Sequence, residues 1–420
     1  MKLYSDMKAY LQRKVWLFLG LLVLFLVQDK LQEWCTPFKY FDEAFGLLVV
    51  PVGAWRLIQN RRIPKLSKSS LWLGAMLLVF FLAGWAGHLR YQYQPLKNAA
   101  MDCYVNFKFY LALAAAWLIF DDGKTDWDQL REVLWPILNV ITTELFLLCL
   151  ANLAFGIFEY DMRGPLRAIK LFYSAYTVLV GLCALLCAIY LWYYGTKGKK
   201  IVPYLLMLCA IMYFTRRVKG FGAIAVIFVV YLLVLVGDRV LSRRMKTVAY
   251  IVVGVAGIAG LYQIFSYYFA MGIESARAML TLASPFCAWD HFPTGSGWAT
   301  FGSAFSGEPY SPVYGQYLLR GIWGLGPGDD PSFLSDTYWP MLLGQCGFFG
   351  FAAFITALVL FVRKLLGLLK PDRSAFASAV FVLLYLLISS TSESALANPI
   401  AIPLAFWLGT MIAQRRQEAV

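Results

Sequence analysis

Residues 15–27 read VWLFLGLLVLFLV and residues 225–237 read AVIFVVYLLVLVG. Neither run alternates apolar with polar residues, so neither suits a strand with one wet face, nor a membrane barrel strand. Each is long enough to approach the thickness of a bilayer core as a helix. Repeated along the chain, the pattern predicts about twelve spans. They lie at roughly 15–28, 43–59, 71–88, 102–120, 133–156, 174–194, 201–214, 220–237, 246–269, 337–362, 374–390 and 394–413. The 201–214 span is short, and 220–237 follows at once, so the two read as a tight hairpin. Residues 272–335 hold no membrane-length apolar run and form one long loop. The expected fold is an all-α polytopic membrane protein, a single integral domain over residues 1–420, with no cleavable signal peptide.

Composition agrees. The 420 residues are 60% hydrophobic and 15% charged, with mean hydropathy +0.64, against about 25% charged for a soluble domain. The net charge of +13 would suit nucleic acid if it were gathered in one patch. Instead the basic residues sort by side. Arg61–Arg62, Lys197/Lys199/Lys200, Arg239/Arg243/Arg244/Lys246, Arg363–Lys364 and Arg415–Arg416 all fall on the side of the N-terminus. Lys and Arg there outnumber those opposite by roughly two to one, the bias that marks cytoplasmic loops. Both termini are then cytoplasmic and 272–335 faces out. The basic balance becomes topology and contact with membrane lipids, not nucleic acid.

Several patterns carry little chemistry. The eight cysteines form no metal-ligand spacing; Cys35, Cys103 and Cys287 fall near the outer face, and Cys183 and Cys187 read as packing. Asp126-Trp-Asp128 superficially matches a metal–nucleotide motif, yet Asp126 with Gln129 three residues on suits a helix cap. Gly295-Ser-Gly297 lacks the preceding strand of a dinucleotide site. Gly-Pro-Gly-Asp-Asp at 326–330 reads as a turn.

The informative charges are cations on the side that topology disfavours. TRRVKG (215–220) puts Arg216, Arg217 and Lys219 at the mouth of two spans, and Arg277 opens the long loop. Arg163, Arg167 and Arg320 share that side. A lone arginine of this kind usually snorkels to headgroup phosphate. Arg216 or Arg217 together with Arg277 suits a lipid-linked diphosphate, because guanidinium forks pair with phosphate oxygens.

The order of features then resembles bacterial O-antigen and capsular polysaccharide polymerases and O-antigen ligases, one superfamily. Thr215-Arg216 looks like its Ser/Thr-Arg pair opening a span. Arg277 leads a helical stretch, Pro293-Thr-Gly295-Ser-Gly297 supplies a Pro-x-Gly-x-Gly turn, and Asp336 leads into a span carrying Gly347-Phe-Phe-Gly350. The match runs over roughly 205–355; earlier residues match in hydropathy alone. The ligase branch has a His-led motif where this chain has Ser335-Asp336-Thr337-Tyr338, which points to polymerase.

The resemblance implies a membrane-embedded, metal-independent glycosyltransferase of the GT-C-like kind in the bacterial cytoplasmic membrane. It would join undecaprenyl-diphosphate-linked oligosaccharide units at the outer face, with no cofactor. A chain-length regulator and a flippase of the same pathway are the implied protein partners. Arg216, Arg217 and Arg277 would hold the diphosphate, and a general base would accept the acceptor's proton. The base is open between Asp336, His291, Asp290 and Glu159, with Asp336 favoured because burial at a span mouth raises a carboxyl pKa. His291 reads equally as a solvent-facing residue, and Asp336 as a helix cap. Trp289, Trp298 and Tyr338 offer faces for sugar rings, although an interfacial aromatic belt claims some of them. A ligase is the rival within this class and a lipid-linked oligosaccharide flippase the rival outside it. Against transport, ionisable residues sit mainly at span ends, Glu144 being the exception.

Overall fold

Apolar runs fold as helices here because a backbone in lipid must satisfy its own N–H and C=O groups. The computed structural model describes residues 2–60, 67–123, 125–163, 166–237 and 272–418, with scattered positions between 242 and 266. The helices are α1 (Lys2–Trp34), α2 (Phe41–Leu47), α3 (Val49–Asn60), α4 (Lys68–Tyr91), α5 (Leu96–Phe120) and α6 (Trp127–Phe155). There follow α7 (Tyr176–Lys197), α8 (Val202–Phe214), α9 (Val218–Val229, continued by a π-helical stretch Val230–Val236) and α10 (Ala276–Asp290). The last three are α11 (Trp339–Leu369), α12 (Arg373–Ser389) and α13 (Ala401–Glu418). Among the described residues, seven helical stretches are long and apolar enough to cross a membrane.

One of the seven, Tyr176–Phe214, contains two helices. α7 and α8 fold back on each other, as the stacked rings of Tyr190 and Tyr204 show. Three expectations change. The span at 43–59 breaks at Leu48 into α2 and α3, where Pro51 cannot donate the bond that a continuous helix needs. The last span begins only at Ala401, after Asn398 and Pro399 turn the chain; the Asn398 side chain accepts from Ile400 N (3.1 Å). The chain is also not all-α. The runs YDMR and LRAI pair antiparallel as β1 (Tyr160–Arg163) and β2 (Leu166–Ile169). The expected span at 246–269 and the basic clusters at 61–62 and 239–246 lie largely outside the described residues.

Small residues let the central helices approach. Ala405, Gly409 and Ala413 recur every fourth residue on α13, and all three are buried. Gly409 faces α5: a Cβ there would sit 2.4 Å from the Leu113 carbonyl oxygen and 2.8 Å from the Ala116 Cβ. Close backbone approach of this kind supplies the packing that lipid cannot drive.

The connections gather at two ends. At one, Lys14 pairs with Asp122 (3.4 Å) and Arg416 with Asp121 (3.2 Å), and Gln417 donates to the Thr125 carbonyl (3.0 Å). Asp126 caps α6 by accepting from Gln129 N (2.9 Å). At the other, Gln94 reaches Pro309 (2.8 Å), Asn98 reaches Phe305 (3.0 Å), and Ser174 bonds Asp29 (2.6 Å). Residues 272–335 form a cap there with a small core of their own, built from Leu280, Cys287, Phe301, Tyr314 and Leu334.

Part of that cap enters the bundle. Residues 295–303 are buried between α4, α5 and α11 without being helical. Such backbone needs partners from the surrounding protein. Ser296 N donates to Gly344 O (3.0 Å) and Gly297 N to Gln345 O (2.9 Å). Asp102 of α5 accepts from Ala299 N (2.8 Å) and the Ser303 hydroxyl (2.6 Å), and Gln345 donates to Phe301 O (2.9 Å). Gly297 (φ 98°) lies so close to α4 that a Cβ would meet His88 N at 2.4 Å. Gly347 (φ 64°) kinks α11 against the same segment.

Candidate functional site

Four ionisable side chains from four chain segments meet at the capped end. Ser275 caps α10, its hydroxyl accepting from Ala278 N (3.3 Å), which sets Arg277 in the first helical turn. Arg277 Nη2 lies 2.9 Å from Asp336 Oδ2, both side chains 33% exposed. Lys219, in the first turn of α9, lies 2.7 Å from Glu393 Oε1, in the α12–α13 connection; the lysine side chain is 5% exposed and the glutamate 15%. The two pairs adjoin. Ser394 donates to the Ser335 carbonyl through both its N–H (3.2 Å) and its hydroxyl (2.9 Å), so the backbones carrying Glu393 and Asp336 are bonded side by side.

Positive charge gathers at this end on two helix N-termini. Helix N-termini carry partial positive charge and ordinarily attract acidic side chains. Here both first turns carry a cation instead, and Arg217, the N-cap residue of α9, stands close enough to Lys219 for the two charges to repel. The two carboxylates offset that charge. Burial raises the Asp336 carboxyl above the usual carboxylate range; Arg277 pulls it down, and the charge of Glu393 pushes it up again.

The three expected diphosphate-binding arginines separate in part. Arg277 and Arg217 belong to this cluster. Arg216, in left-handed conformation (φ 54°), turns its guanidinium over the Tyr213 ring (5.2 Å), while Arg217 covers Tyr176 (4.8 Å). Of the basic residues sharing that side, Arg167 donates to Leu153 O (3.0 Å) and Arg320 lies over Tyr310 (5.7 Å).

The base candidates also separate. Asp336 is in the cluster. Asp290 and His291 lie at the opposite end of α10, about 20 Å from Arg277 at helical rise. His291 is not solvent-facing: it is buried against Tyr91 and Tyr93. Its Nδ1–H donates to Cys287 O (2.9 Å) and its Nε2 receives the Tyr93 hydroxyl (3.3 Å), which occupies both ring nitrogens. Asp290 accepts from the Tyr317 hydroxyl (2.9 Å). Glu159, largely exposed, pairs with Lys170 (2.8 Å) beside the β-hairpin.

Of the expected sugar platforms, only Trp289 presents a face, being 70% exposed. Trp298 is enclosed against Phe80 and Gly84, and Tyr338 is packed near Phe354. Both fill the core. The 326–330 segment is the expected turn, with Asp329 accepting from Gly324 N and Gly326 N (2.9 Å each). All eight cysteines are free thiols.

Sequence reading missed Glu393 and gave Lys219 no role. The signal was present: STSES, between the predicted spans 374–390 and 394–413, is a polar, turn-forming interruption, and it reads as a connection with no chemistry of its own. It also missed ionisable groups inside α5. Besides Asp102, Lys108 is buried, 2.7 Å from Asp42 and 3.5 Å from Glu43, and Gln28 donates to Asp42 (3.2 Å). No family model matches this chain, and neither does any curated protein or solved structure.

Proposed function

We propose that this chain is a polysaccharide repeat-unit polymerase of the bacterial cytoplasmic membrane. It would transfer undecaprenyl-diphosphate-linked glycan to another lipid-linked repeat at the outer face, where 272–335 lies in the topology read from sequence. The observation that carries this reading is Arg277, a cation on a helix N-terminus, paired with a partly buried carboxylate whose proton affinity is raised. Donor diphosphate takes the place of Asp336 on Arg277, and the freed carboxylate faces the acceptor hydroxyl. The hydroxyl oxygen attacks the anomeric carbon and its proton passes to Asp336. The bond from that carbon to the diphosphate breaks, its electron pair leaving on the diphosphate, where preorganised cations stabilise the growing charge.

The test is purified full-length protein supplied with one synthetic lipid-linked repeat, resolved on a gel. A ladder is expected, lost in Arg277→Ala and in Asp336→Asn with protein levels unchanged. Product of a single repeat length from wild-type protein would defeat the reading.

A second reading, a flippase for the same lipid-linked oligosaccharide, is favoured by the Lys108–Asp42–Glu43 cluster and Asp102, since ionisable groups inside a bundle commonly mark a transport path. In vesicles, movement of the repeat across the bilayer without lengthening would select it.

A further inference from the structure

We propose that Lys219 and Glu393 form the inner half of the anion clamp: Lys219 takes the second phosphate of a diphosphate, and Glu393 holds its place until the ligand arrives. The inference rests on reading this end of the bundle as a diphosphate site. A diphosphate carries two anionic groups, and the cluster carries two cation–carboxylate pairs on adjoining backbones, at 2.9 and 2.7 Å. The pairs differ in depth. Arg277 and Asp336 are one-third exposed, whereas Lys219 and Glu393 are nearly enclosed. An entering anion therefore meets Arg277 first and Lys219 behind it.

Both cations sit where a helix dipole already adds positive potential. An internal salt bridge alone does not explain that choice, because the same pair with the acid on the helix and the base on the loop would gain from the dipole. Placing the base on the helix spends stability and makes a positive seat that a fixed carboxylate only partly satisfies. Arg217, repelling Lys219 from the α9 cap, adds to the same potential. Glu393 is tethered through Ser394 to the backbone of Ser335, so displacing it moves the neighbour of Asp336. Binding of the second phosphate is thereby linked to release of the base.

A purely structural pair and a placeholder pair differ in sign. If the pair only braces the fold, removing either partner harms the protein in the same direction. If Glu393 competes with the ligand, the two removals oppose each other. Inorganic pyrophosphate binding to the detergent-purified full chain, measured by calorimetry, is the probe. Lys219→Gln is expected to weaken it by about tenfold or more, the scale of one charge-assisted hydrogen bond. Glu393→Gln is expected to tighten it severalfold. Lys219→Arg and Glu393→Asp, which keep the charges and guard against misfolding, should bind near the wild-type level. Weaker binding by Glu393→Gln, or the same affinity in wild type and both neutral variants, overturns the clamp. The two readings separate cleanly. Opposite shifts in pyrophosphate affinity without a ladder keep the clamp and sink the polymerase; a ladder with unshifted affinity does the reverse.

Discussion

In the proposed reaction, the pH behaviour turns on Asp336. Its folded carboxyl is raised, chiefly by burial, and to act as the proposed base it must be ionised. Elongation is therefore expected to rise with pH along a limb above the ordinary carboxylate range. Stability runs the other way: what protonated Asp336 contributes is complete below the unfolded pKa and lost as pH rises through the folded one. Because the charge of Glu393 helps raise Asp336, Glu393→Gln should move the acid limb of the pH–rate profile to lower pH; an unmoved or higher limb would break the link. Arg277→Lys keeps the charge but not the planar fork. Losing one charge-assisted bond costs about 1.5–3 kcal/mol, so elongation rate should fall by about ten- to a hundredfold. An unchanged rate in that variant would refute fork recognition.

Among elements, the buried segment 295–303 is the most exacting. Its glycines are read in sequence as a turn shared with a glycosyltransferase family, yet the requirement visible here is steric. A methyl on Gly297 would overlap α4 backbone and force a side chain into φ 98°, so Gly297→Ala should cost about 2–4 kcal/mol, read as a lowered melting temperature in detergent. Asp102→Ala would strip the acceptor from Ala299 N–H and the Ser303 hydroxyl. A cost of about 1–3 kcal/mol for each group left unsatisfied is expected, with faster trypsin cleavage in the cap. Equal cleavage rates would mean the segment does not depend on Asp102.

At the scale of the molecule, the prediction concerns sidedness. The α1–α2 connection, the cap and the Lys219–Glu393 pair lie at the end expected to face away from the cytosol. Cys35 follows α1 and is exposed, while the other seven cysteines are buried. A membrane-impermeant maleimide should label intact spheroplasts through Cys35, and Cys35→Ser should abolish that labelling. Labelling only after lysis would invert the topology and place the clamp on the wrong side for the proposed reaction.

Helical character, the Asp126 cap and the Asp329 turn were legible in the chain, because each depends on residues within a few positions of one another. Arg277 was legible as a charge out of place and Asp336 as a carboxyl at a span mouth, though not as a pair. What the tertiary structure alone decided are contacts between distant residues: Arg277 with Asp336 across 59 positions, Lys219 with Glu393 across 174, and Asp102 with Ala299 across 197. The same holds for His291, whose Nε2 meets the Tyr93 hydroxyl across 198 positions, and for Trp298, an aromatic that sequence takes for a surface and packing makes core. Periodicity reports how a segment meets its solvent; which charge meets which depends on how the helices close around the segment between them.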